Sequence, residues 1–181
     1  MTDLRVENVL LSRRRALKIG LTASALLTMA GLGASLSGCS SSRSARGFAT
    51  LRSSDLVFLS ALIPVMLNAS VPPKAMPGAA DATLCQLDTY LSHLSPALLK
   101  LTQQLFDVLA IPVTRGPLTG VWGSWQSASP KQIQRFLHRW QNSSLSLLRM
   151  GHGSLVQLVM MSWHAEPDSW ASCGYPGPPT V

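Results

Sequence analysis

Two short runs near the start hold residues whose chemistry depends on their neighbours. Arg13 and Arg14 lie in Ser12-Arg13-Arg14-Arg15-Ala16-Leu17-Lys18, which follows the export pattern Ser-Arg-Arg-x-Phe-Leu-Lys except at Ala16. Cys39 closes Leu36-Ser37-Gly38-Cys39, the small-residue pattern at which a lipoprotein signal peptidase cuts before a lipid-modified thiol. Between them runs a mildly apolar stretch, Ile19 to Gly38. Its length could cross an apolar layer of about 30 Å, but Gly20, Ser24, Gly31, Gly33, Ser35 and Ser37 make it a poor stable anchor. The order and spacing therefore predict cleavage before Cys39. Acyl chains on that cysteine would suffice to hold the protein on a membrane. Ser40, rather than Asp, follows Cys39, which leaves the inner and outer membranes both open.

Catalytic groups are sparse beyond that point. The six acidic residues after position 38 are Asp55, Asp81, Asp88, Asp107, Glu166 and Asp168. Asp55 and Asp81 are expected at helix starts, where they favour the dipole, and Asp88 and Asp107 are expected on solvent-facing helix sides. His93, His138, His152 and His164 show no HExxH or ExxH spacing, and no Walker loop, GxGxxG or GxSxG element is present. Met150, Met160 and Met161 read as packing rather than copper ligands. Neither catalysis nor a resident cofactor or metal is expected.

Processing at Cys39 would leave 143 residues, enough for one compact domain. The formal charge would fall from +7 to +4, so much of the basicity belongs to the export signal and argues for no nucleic-acid partner. Arg43, Arg46 and Arg52 lie just after Cys39 and read as part of a solvated tether, with contact to anionic headgroups the weaker alternative. Cys85 and Cys173 can pair with each other in an oxidising compartment, pair with a partner, or stay free.

The elements follow from periodicity and caps. Residues 1–38 read as signal, 39–53 as a flexible tether, 54–165 as a helical domain and 166–181 as an irregular docking tail. Leu56, Leu59, Leu62 and Ile63 predict a first helix that Pro64 kinks or ends. A second spans Asp81 to Leu94. Ser95-Pro96 starts a third, which Ile111-Pro112 closes, and residues 113–128 hold at most one short helix. Ser129-Pro130 opens another, with Gln132 placed for a capping box. The last runs from Ser144 to His164, with Gly151 and Gly153 marking a kink or a close crossing. About five helices and no period-2 strand predict an all-α bundle.

Trp122, Trp125, Trp140, Trp163 and Trp170 are a heavy indole load. Some should fill the core or staple loops, and others could anchor a partner. The ending Trp170-Ala171-Ser172-Cys173-Gly174-Tyr175-Pro176-Gly177 resembles that of the gluconate 2-dehydrogenase subunit 3 family. Ile63-Pro64, Pro77-Gly78-Ala79-Ala80-Asp81 and the helix around Phe136 to Trp140 are similar too. The resemblance implies a non-catalytic small subunit that escorts a large flavoprotein of the glucose-methanol-choline type, often with a cytochrome subunit. FAD would belong to that partner, which would cross the twin-arginine translocase folded, on this chain's leader. Trp163, Trp170, Cys173, Gly174, Tyr175, Pro176 and Gly177 are the expected docking segment. A free-standing periplasmic lipoprotein with a scaffolding role is the alternative.

Overall fold

A computed structural model describes residues 43–177, so Arg13, Arg14, Cys39 and the end of the tail lie outside the described residues. Helices α1 (Ser53–Leu67), α2 (Met76–Ser92), α3 (Pro96–Ala110) and α4 (Pro112–Thr119) come first. A 3-10 turn (Trp125–Ser127) follows, then α5 (Pro130–Gln141), α6 (Ser146–His164) and α7 (Pro167–Cys173). Among the described residues there is no strand, only an isolated bridge between Ser44 and Arg52. The fold is an all-α bundle.

Helix α1 is apolar on nearly every side, and such a helix must be surrounded. It packs against α2, α3, the 3-10 turn, α5 and α6, burying Phe58, Leu59, Leu62, Ile63 and Leu67. Pro64 does not end it. The proline removes one N–H, but the residue a turn earlier, Ser60, is exposed, so water can serve its carbonyl. Helix α5 is the opposite kind of element. Ile133, Phe136 and Trp140 face inward, while Lys131, Arg135, His138 and Arg139 are partly or fully solvent-facing.

Proline sets the starts. Helices α3, α4, α5 and α7 each begin on one, at the position where a missing N–H costs nothing. Ser95 Oγ accepts from Leu98 N at 3.4 Å, and Ser129 and Gln132 form the expected capping box. Ile111-Pro112 ends α3 as expected and also launches α4. Pro167 launches α7 in a segment expected to be irregular.

A chain of ring contacts, edge to face except for the tilted Phe58–Trp125 pair, ties the bundle together. Phe106 of α3 meets Phe58 of α1 with centroids 5.2 Å apart, and Phe58 lies 6.3 Å from Trp125. Trp125 meets Phe136 at 5.8 Å, and Phe136 meets Trp140 at 5.0 Å. Trp140 then abuts Gly151, where an added Cβ would lie 2.8 Å from the indole. Gly151 is thus a close crossing of α5 and α6 rather than a break, since α6 runs unbroken from Ser146 to His164.

The described part of the expected tether, residues 43–53, is folded. Ala45 and Leu51 are buried, and Ala45 N bonds Leu51 O at 2.7 Å. Asp88, far from solvent-facing, accepts the backbone amides of Ala49, Thr50 and Leu51 at 2.7–2.8 Å. Arg52 is buried as well. It donates to both oxygens of Asp55 at 2.9 Å and reaches Asp107 at 2.7 Å. The Asp55 bond raises the Arg52 pKa above its ordinary value despite the opposing desolvation, so the guanidinium stays charged.

Two predictions follow from these contacts. Asp88→Ala strands three amides, that of Leu51 buried and those of Ala49 and Thr50 part-buried, and is expected to cost about 1–3 kcal/mol, read as a lower urea midpoint with amides 49–51 exchanging first. Gly151→Ala should cost about 1–3 kcal/mol because the core backs the indole. Gly153→Ala, with open space around it, should instead stabilise by about 0.5–1 kcal/mol. Equal effects in urea denaturation would remove the crossing as the reason for Gly151.

Candidate functional site

The C-terminal segment was expected to dock a partner, and its geometry is largely self-contained. Helix α7 ends at Cys173, and Gly174 turns left-handed at φ 71°. Tyr175 N then bonds Trp170 O at 3.0 Å, the six-to-one bond of a Schellman cap. The hydrophobic contact that accompanies such caps is the Trp170–Tyr175 pair, edge to face with centroids 5.5 Å apart. Gly177, at φ 100°, lies against the other part of the same indole, where a Cβ would come within 3.2 Å. Gly174, Tyr175 and Gly177 therefore each have a local task in wrapping Trp170.

The indoles share a second task. The last carbonyls of a helix have no intrahelical donor. Trp125 Nε1 donates to Leu109 O near the end of α3 at 2.8 Å. Trp140 Nε1 donates to Leu118 O near the end of α4 at 2.9 Å. Trp170 Nε1 donates to His164 O, the last residue of α6, at 3.0 Å. Three tryptophans thus cap three helix ends; Trp125 and Trp140 are buried in doing so, while Trp170 stays partly exposed.

Trp163 is corrected outright as a docking residue. It is 4 % exposed and belongs to the core. Its Nε1 is buried without a hydrogen-bond partner, and the residue lines a cleft of about 200 Å³ with Ser70, Pro72, Glu166 and Asp168. Trp122 alone among the tryptophans is strongly exposed, at 77 %, and its ring lies over Gly116. Cys85 and Cys173 are free thiols on the surface, not bonded to each other. Cys173 and Tyr175 remain exposed in the tail, as does Pro176.

Among the described residues no three His, Cys, Asp or Glu side chains are placed to hold a metal ion. Burial lowers the pKa of His152, while the ring of His93 bonds the carbonyl of Thr89. The acids that could serve as bases are partly consumed, since Asp55 and Asp107 pair with Arg52 and Asp88 holds amides.

Several large apolar side chains lie open. Leu98 and Leu101 project from α3, and Leu147 and Met150 from the first turns of α6; Leu101, Leu147 and Met150 are 61, 75 and 67 % exposed. Leu98, Leu101 and Leu105 fall at helical spacing on one face, as do Leu147 and Gly151. The two faces meet where Leu105 Cδ1 lies 3.4 Å from the Cβ position of Gly151. Helical spacing cannot tell an inward stripe from an outward one, and the packing leaves Leu98 and Leu101 facing outward.

Compared with known proteins, the chain matches no family model, no curated protein and no solved structure.

The cap geometry yields a test. Gly174→Ala places a Cβ on a left-handed backbone, at a cost of about 1–2 kcal/mol. The expected result is faster amide exchange at Tyr175 and altered Trp170 emission, with little change in the global urea midpoint.

Proposed function

We propose that this chain is a non-catalytic, exported and lipid-anchored subunit that escorts and stabilises a large flavin-dependent dehydrogenase at the periplasmic membrane surface. Arg13 and Arg14 would engage the twin-arginine translocase, and Cys39 would carry the lipid. FAD would reside in the partner, and a cytochrome subunit would accept its electrons. The reading comes from the two leader motifs and the resemblance of the Gly-Tyr-Pro-Gly ending.

One structural observation supports the subunit role, namely the leucines and methionine standing outward on α3 and α6. Large apolar side chains gathered on an exposed surface mark interaction sites more often than isolated ones do. The docking surface is accordingly assigned to Leu98, Leu101, Leu147 and Met150, with the exposed Cys173, Tyr175 and Pro176 as a second contact. The self-sufficient cap of Trp170 favours the alternative of a free-standing periplasmic lipoprotein, because that tail needs no partner to be ordered.

Affinity purification of the full-length protein from membranes of its own host, read by flavin absorbance and mass spectrometry, separates the two. A yellow complex containing a large oxidoreductase is expected. Leu101→Asp combined with Met150→Asp should then reduce co-purified flavin by about tenfold or more while helical content stays unchanged. A colourless protein recovered alone in several mild detergents would favour the free-standing lipoprotein.

A further inference from the structure

Residues 44–52 form a small closed loop whose ends meet in the Ser44–Arg52 bridge. Its tip is a turn, with Phe48 N bonded to Ala45 O at 3.0 Å and Gly47 at φ 87° in the glycine position of a type II turn. The loop is pinned at its far side by Asp88 and closed below by the buried Arg52. Arg46 sits in the turn and Arg43 just before the bridge, both exposed. Among the described residues neither forms a salt bridge, whereas Arg52 is held inward by two.

Only Ser40, Ser41 and Ser42 separate Cys39 from Arg43. Even a fully extended chain cannot carry Arg43 more than about 14 Å from Cys39, and any less extended path brings it toward the roughly 8 Å over which charges act at physiological salt. We propose that loop 44–52, with Arg43 at its entry, seats the domain directly on an anionic phospholipid surface through Arg43 and Arg46. The inference rests on lipid attachment at Cys39. It replaces a mobile tether with a short, charged mount that limits how far and how freely the domain can move above the bilayer.

The test uses the full-length lipidated protein reconstituted into vesicles of phosphatidylcholine alone, or with roughly a third phosphatidylglycerol. Flotation reports the anchor, and hydrogen exchange of the peptide Arg43–Phe48 reports the seating. Exchange about fivefold slower on the anionic vesicles is expected, lost in Arg43→Gln/Arg46→Gln and in roughly 0.5 M salt. Equal exchange on both vesicle types, with the protein still floating, overturns the seating and leaves the anchor standing. A difference that survives the double variant places the contact on another basic face, such as Lys131, Arg135 and Arg139, and overturns it too. A protein that fails to float overturns the anchor and the seating with it.

Discussion

The carbonyl ends of the helices are the constraint around which this bundle is arranged. A helix leaves its last carbonyls without donors, and a short-looped bundle has little room to expose them all to water. Here the donors come from later in the chain. Trp125 reaches back to α3, Trp140 to α4, and Trp170 to α6. Each bond fixes the position of a following element against the end of an earlier one, and each indole brings a large apolar face with it. The Phe106–Phe58–Trp125–Phe136–Trp140 contacts are a consequence, since two of those rings are already placed by their N–H groups.

A second constraint is charge placed inside. Burying Arg52 is tolerable because Asp55 meets it with two bonds and Asp107 with a third. Asp88 is tolerable because three backbone amides converge on it. These carboxylates are drawn from a chain with few acids, so their use inside leaves Arg43, Arg46 and the basic side chains of α5 without nearby compensation on the surface. The electrostatic character of the exterior is thus set by what the interior consumes.

The same economy shapes the functional reading. Aromatic and acidic residues that would serve a catalytic cleft or a docking tail are engaged in holding the fold. What remains at the surface is a set of leucines and methionine on α3 and α6, two thiols, and arginines beside the proposed lipid site. The exposed apolar side chains among them are what the proposed role as an escort subunit draws on.

The helical class, the cap chemistry at Ser95-Pro96 and Ser129-Pro130, and the inward face of α5 are legible along the chain, because they depend on residues within a turn or two of each other. The leader motifs are legible for the same reason, although they lie outside the described residues. Only the tertiary structure decided the rest. That Asp88 binds amides some 38 residues away, that Arg52 is buried, and that Leu98 and Leu101 face outward are facts of packing between distant segments. The glycines show the division well. Gly151 and Gly153 look alike in the sequence of α6, yet only Gly151 meets an indole. Likewise the Gly-Tyr-Pro-Gly ending has a local role that its sequence does not reveal, since Tyr175 and Gly177 both contact Trp170 and both glycines are left-handed.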